Sequence, residues 1–228
     1  MFNMLKLEWL CMKSYRKALY LTPFAGIALA VLVHPVFALM ALPYLMHDFG
    51  ANSFMAGEKG EVDRLFLSLP IKRIMIIRTR FVLMLITGGI GLLAGIVITL
   101  LASPLLYGHT ILQEHTFIPD FNTMLLLVVS SILTCAIMNL FLLPTLCKAG
   151  YSVAKYRGTF ILVGLASLLV IVRQLIERIK IVNYHATLAF EWALSNIIWT
   201  SAILLGIAIA LFATSYALAQ KNYSKREF

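Results

Sequence analysis

Three stretches of this chain run for a full bilayer thickness without a charge: Phe81 to Leu106, Thr123 to Cys147 and Leu194 to Ala219. A hydrocarbon core about 30 Å thick is crossed by ~17–25 apolar helical residues. Inside it every backbone N–H and C=O must be satisfied without water, which a helix does within its own segment. The composition points the same way. Of 228 residues, 61% are apolar and 13% charged, with a mean hydropathy of +0.90. A soluble domain is about 45–50% apolar and about 25% charged. A disordered chain, a disulfide-rich secreted domain and an ordinary cytosolic enzyme are thereby excluded. The fold class that remains is all-α, a polytopic membrane protein.

Two further regions complete the count of spans. Thr159 to Val172 is shorter but uncharged, and can extend into Gly150 to Gly158 or into the turn after it. Ala18 to Ala51 carries one charge, Asp48, near its end. It is too long for one upright helix and long enough for two short ones. His34-Pro35 falls in its middle, and proline lacks an N–H and disfavours helix in the residue before it. The expectation is a tight hairpin, with span one at about Ala18–Val33 and span two at about Val36–Ala51, kinked at Pro43. The chain then divides into an N-terminal segment 1–17, spans one and two in 18–51, a loop 52–80, span three 81–106, an outside loop 107–122, span four 123–147, a loop 148–158, span five 159–172, an outer element 173–193 and span six 194–219.

Charge tests this division. The chain has 19 Lys and Arg against 10 Asp and Glu, a net +9. The cations do not form one basic domain, so nucleic acid is not an expected partner. With six spans and both termini in the cytoplasm, every Lys and Arg except Arg173, Arg178 and Lys180 falls on the cytoplasmic side. Making 18–51 a single span would put Lys6, Lys13, Arg16 and Lys17 outside as well. The positive-inside rule favours six spans. No small-residue cleavage site follows an apolar core of about 7–15 residues at the start, so no cleavable signal peptide is expected. Cys11, Cys135 and Cys147 make neither a paired framework nor a CxxC, and read as small packing residues.

The segments between the spans carry patterns of their own. Residues 2–17 read as an amphipathic interfacial helix, with Lys6, Lys13 and Lys17 on a narrow stripe and Met4, Leu7, Cys11 and Tyr15 on a broad apolar side. It is either a topology anchor or a link to a cytoplasmic partner. In the 52–80 loop, Val62, Leu65, Phe66 and Leu69 follow i, i+3, i+4, i+7, which is a one-faced helix. Glu61, Asp63, Arg64 and Ser68 occupy its other side, and Pro70 stops it. Its apolar stripe can enter a groove on a partner or rest on lipid headgroups and the spans. Lys72, Arg73, Arg78 and Arg80 follow at the mouth of span three, where Arg78 and Arg80 can snorkel. Val172, Leu175, Ile176 and Ile179 make a second stripe, with Arg173 and Glu177 as an i, i+4 pair and Phe190 and Trp192 suited to the interface. This predicts a helical element in the outer leaflet before span six.

Chemistry for an enzyme is missing from the sequence. It has no HExxH, no GxSxG and no GxxxxGK[ST] phosphate-binding loop. His109, Glu114 and His115 in the outside loop match no zinc spacing, and a solvated loop is expected. Asp48 and Glu191 are expected near span ends, so no intramembrane carboxylate offers an ion-coupling site. Gly88, Gly89, Gly91 and Gly95 lie in span three, and Gly91-xxx-Gly95 suits close helix packing. Asn139 in span four either faces a path through the membrane or hydrogen-bonds a neighbouring helix.

The stretch from Asp63 to Arg80 resembles a motif of bacterial ABC-transporter permeases of the type-2 family in their small stand-alone form. That pattern is an acidic residue, Ser-Leu-Pro, two residues, Arg, and a basic-aromatic entry to the next span. Here it reads Asp63, Ser68-Leu69-Pro70-Ile71-Lys72-Arg73 and Arg80-Phe81. The six-span plan, the N-terminal helix and the outer element are similar too. The resemblance implies a permease subunit of an exporter in the bacterial cytoplasmic membrane, paired with a second permease copy or paralogue and with ATP-binding cassette ATPase subunits. It implies that the loop helix is a coupling helix on the ATPase, with Glu58, Glu61, Val62, Asp63, Arg64, Leu65, Phe66, Leu69, Pro70, Lys72 and Arg73 at that interface. This chain would hold no cofactor and no catalytic residue; ATP and Mg would belong to the ATPase. A path lined by apolar and small residues suits an amphipathic or hydrophobic cargo such as a peptide, lipid or drug. A scaffold or sensor subunit and an ion-coupled transporter are the alternatives.

The topology makes a direct prediction. Alkaline phosphatase fused after Gln113 is active on the outside, and the same enzyme fused after Ala56 or Ala154 is inactive. Activity from either of the latter two fusions contradicts the six-span division.

Overall fold

The computed structural model describes residues 2–32, 35–59, 73–107, 121–151, 153–154, 191–193 and 195–224, and among these there are helices and turns but no strand. Helix α1 covers Phe2–Cys11, and a 3-10 turn, Met12–Tyr15, leads into α2, Arg16–Leu32. Helix α3 is Pro35–Lys59, α4 is Arg73–Tyr107, α5 is Phe121–Ala149 and α6 is Ile197–Ser224. Among the described residues, three segments are long and apolar enough to cross a membrane: Ile74–Ala102, Phe121–Ala149 and Ile197–Ser224. Helix α2 contributes a shorter apolar stretch, Leu19–Leu32.

Several expected boundaries shift. Helix α2 is described to Leu32, and Pro35 is the first residue of α3, where its missing N–H costs nothing. Nothing between Ala51 and Lys59 breaks a helix, so α3 runs well past the expected end of span two. Asp48 is therefore inside α3 rather than near its end, on an exposed face. Helix α4 begins at Arg73, earlier than the expected Phe81. Its 35 residues span about 50 Å at ~1.5 Å each, more than the hydrocarbon core, so its first turns project beyond it. The 3-10 turn breaks the expected single helix over 2–17. Helix α6 continues to Ser224, one turn past Ala219. Gly150, with φ 84°, ends α5, and its N–H bonds back to the Leu146 carbonyl at 3.2 Å. The expected coupling helix Val62–Leu69, the outside loop apart from its helical edges, span five and the outer element apart from 191–193 lie outside the described residues.

The helices pack as two intimate pairs, α3 with α4 and α5 with α6, and α3 also contacts α5. The α3–α4 seam is antiparallel and set by glycines. A Cβ at Gly50 would stand 2.7 Å from the Met84 Cα, one at Gly91 2.6 Å from the Leu42 carbonyl oxygen, and one at Gly95 3.0 Å from the Leu39 Cα. Lipid tails are as apolar as leucine, so helices in a bilayer associate through such close packing and through hydrogen bonds. At one end Ala30, Ala38 and Leu42 bring α2 onto the same seam. Near the other end, Phe54, Ile77, Leu143, Leu146, Cys147, Ala219 and Tyr223 form a core shared by α3, α4, α5 and α6. Outward faces are apolar: Leu93 is 66% and Trp199 70% exposed, as suits side chains that meet lipid.

Gly91→Leu should force α3 and α4 apart and cost about 1–3 kcal/mol, the range for overpacking. Gly206→Leu, where an added Cβ meets nothing within 4 Å, should leave stability unchanged. Thermal unfolding of the two variants in detergent checks this; equal midpoints contradict the seam.

Candidate functional site

Two polar assemblies lie among these helices. The first ties the N-terminal segment to the start of span three. Arg80 Nε donates to Glu8 Oε1 at 2.8 Å, and the two side chains are 1% and 0% exposed. The guanidinium also lies over the Phe54 ring of α3, 5.0 Å from its centre. Arg80 therefore does not snorkel; a partner within reach makes burial cheaper than a stretch to the headgroups. Arg78 is exposed, as a snorkelling residue should be. The pair also sets which face of α1 turns inward. Met4, Glu8 and Met12 are buried, while Leu7, expected on the apolar side, is 38% exposed and Cys11 half-buried. Leu5 and Trp9 complete the contact, with Trp9 edge-on to Phe49 at 6.4 Å. Partial burial and the neighbouring Glu8 carboxylate push the Cys11 thiol up, and Arg80 opposes them.

The second assembly lies deeper. Pro43 cannot donate to the Leu39 carbonyl one turn back. Ser131 of α5 donates its Oγ to that oxygen at 3.1 Å instead. Four residues past Pro43, His47 reaches two helices at once. Its Nδ1 is 3.2 Å from the Met84 carbonyl oxygen of α4, and its Nε2 is 3.2 Å from Asn139 Oδ1 of α5. Ser215 of α6 donates to the Asn139 backbone carbonyl at 2.7 Å. One buried His–Asn contact thus gathers α3, α4, α5 and α6. The Met84 carbonyl oxygen only accepts, so Nδ1 carries a proton, while the Asn139 amide can either accept from Nε2 or donate to it. A neutral ring keeps its Nδ1–H on Met84 and takes a hydrogen bond from the Asn139 NH2 once the amide turns over. Asn139 Nδ2 has no other partner among the described residues, so the turn breaks no bond of its own.

Ile74, Ile77, Ala217, Gln220, Lys221, Tyr223 and Ser224 line a cavity of about 340 Å³ between the start of α4 and the end of α6. It adjoins the point where the chain enters α4 from the loop.

The residues expected at the site divide accordingly. Glu58 lies in the last turn of α3, and Arg73 is the first residue of α4. Glu61, Val62, Asp63, Arg64, Leu65, Phe66, Leu69, Pro70 and Lys72 are outside the described residues, as are His109, Glu114 and His115. Gly91 and Gly95 face α3, and Asn139 is fully buried against His47. Sequence reasoning missed Glu8, Arg80 as its partner, and His47. The available signals were single polar residues in apolar surroundings: one acid in the first helix and one imidazole in span two. Among the described residues no three His, Cys, Asp or Glu side chains gather as a metal site.

Removing one partner of a buried ion pair strands the other charge, at about 3–5 kcal/mol, whereas replacing both by apolar residues is often neutral. Arg80→Met should therefore lower the unfolding midpoint sharply, and Glu8→Leu in the same chain should restore most of it. No recovery in the double variant contradicts the pairing.

The comparisons with known proteins fit this helical membrane assembly. The family model described as ABC-2 family transporter protein matches residues 3–224, from α1 to the end of α6. No curated protein and no solved structure matched the chain. With almost the whole sequence covered, the chain belongs to the ABC-2 family of transporter proteins.

Proposed function

We propose that the chain is the permease subunit of a bacterial ABC exporter, with six spans and both termini in the cytoplasm. The observation that carries this is the family match over 3–224, and permeases of this family work with an ATPase partner. In this reading the protein sits in the cytoplasmic membrane as one half of a transmembrane domain, beside a second permease copy or paralogue. ATP and Mg are bound by the partner ATPase, and this chain does no chemistry of its own. The cargo is amphipathic or hydrophobic, a peptide, lipid or drug, as an apolar path between two permeases would favour.

The packing supports a mechanical role for the loop between α3 and α4. Both of its flanks belong to the glycine seam, and both are held by one cluster, Phe54 on α3 and Arg80 on α4, with Glu8 of α1. A force on residues 60–72 would then move α3, α4 and α1 together rather than unzip them. The His47–Asn139 contact would pass that movement to α5, and Ser215 would pass it to α6. In this reading Val62, Leu65, Phe66 and Leu69 enter the ATPase groove, with Asp63, Arg64, Lys72 and Arg73 around them.

The test is co-purification in mild detergent with the ATPase encoded beside the gene, comparing wild type with Leu65→Asp/Phe66→Asp. The expected outcome is capture by the wild type and loss in the variant, with an unchanged elution profile of the permease itself. A wild type that retains no ATPase sinks the exporter reading and favours a scaffold or ion-driven role.

A further inference from the structure

A second cavity lies at the centre of the membrane-spanning region. About 210 Å³ in volume, it is lined by Pro43 and His47 of α3, Leu85, Gly88, Gly89 and Leu92 of α4, Ile132 and Cys135 of α5, and Phe212 of α6. It lies between the two helix pairs, where α4 and α5 make little contact. Its existence follows from absent side chains. Gly88 is just far enough from His47 for ordinary contact, and a Cβ at Gly89 would meet nothing within 4 Å. The lining is mostly apolar, and the polar atoms of His47 are already engaged with Met84 and Asn139. An apolar cavity of ~150 Å³ stays dry and accepts benzene. This one is larger, so an apolar group gains contacts there that water cannot supply.

We propose that this cavity is a binding site for the methyl end of a bilayer lipid's acyl chain, which enters sideways along α4. Depth favours that occupant. Gly88 and Gly89 lie eight and nine residues past Arg80, ~12–14 Å along the helix, about half the thickness of a hydrocarbon core. That is the depth at which acyl chains end. Access favours it as well. Leu85 and Gly89 on the wall are exposed, and the adjoining Ile86, Ile90 and Leu93 present an apolar face to the membrane. A bound chain end would pack on the His47 ring and hold the α3–α4 pair against α5 and α6. The site is independent of the cargo and requires only that the chain spans a membrane.

The test uses the full chain in phosphatidylcholine nanodiscs containing a phosphatidylcholine with a diazirine at the end of one acyl chain. After photolysis, adducts are mapped by mass spectrometry. Adducts should concentrate on His47 and Cys135, at least about fivefold above the lipid-facing Ile203 and Ile209, as expected of a filled cavity. Gly89→Leu, which adds a bulky side chain at the cavity wall, should abolish the enrichment, and Gly206→Leu, away from it, should not. Ile132→Phe fills the cavity from the opposite wall and gives the same reading if Gly89→Leu does not fold. Enrichment that survives both fillers, or adducts confined to outer faces, overturns the proposal. So does cross-linking of Gly89→Cys to a second copy of the chain, because a partner helix would then be the occupant. Loss of ATPase capture by the loop variant would leave all of these outcomes unchanged.

Discussion

A polar group in hydrocarbon must find its partner within the protein, and the close approach of α3 and α4 allows several to do so. Gly50, Gly91 and Gly95 bring the two backbones into contact along the seam. At that spacing the His47 ring reaches a carbonyl on α4 and still meets Asn139 on α5. With larger side chains in the seam, the ring would lose one partner or the other. Burying an unsatisfied polar group costs about 1–3 kcal/mol, which is large against the net stability of a membrane domain. Small residues and polar contacts are therefore one device here, not two.

Proline adds to the same economy of bonds. Pro43 leaves the Leu39 carbonyl without its helical donor, and Ser131 supplies one from α5. The break at Pro43 thus becomes a tie from α3 to α5. A separate tie joins α5 to α6, where Asn222 Nδ2 donates to the Pro144 carbonyl at 3.2 Å. The ion pair between Glu8 and Arg80 works at the membrane edge by the same logic, joining the first helix to the third span across 72 residues of sequence.

How much of this was legible depends on the range of the interaction. The long apolar runs mark the cores of α4, α5 and α6, because hydrophobic length is a local property. The start of α3 at Pro35 is likewise a local matter, since proline favours the first position of a helix. Helix ends were less so: α3 passes Asp48 and reaches Lys59 because no residue there stops it, and charge alone does not end a helix. The Glu8–Arg80 and His47–Asn139 pairs join distant segments, so no window of sequence displays them. The central cavity was invisible in principle, since residues of four helices line it and only their packing brings them together. Gly88 and Gly89 stood out in the sequence, but only packing separates an open glycine such as Gly89 from a crowded one such as Gly91.

The α3–α4 register is the claim on which the other contacts rest, and engineered disulfides test it directly. In a background with Cys11, Cys135 and Cys147 replaced by serine or alanine, one pair lies on the seam: His47→Cys with Gly88→Cys, whose Cβ atoms would stand 3.5 Å apart, within the range a disulfide spans. It should cross-link rapidly under mild oxidation. Asp48→Cys with Gly88→Cys should not, since Asp48 is on the exposed face of α3. Cross-linking of the Asp48 pair without the His47 pair would mean a rotated helix, and with it the loss of the polar contacts described here.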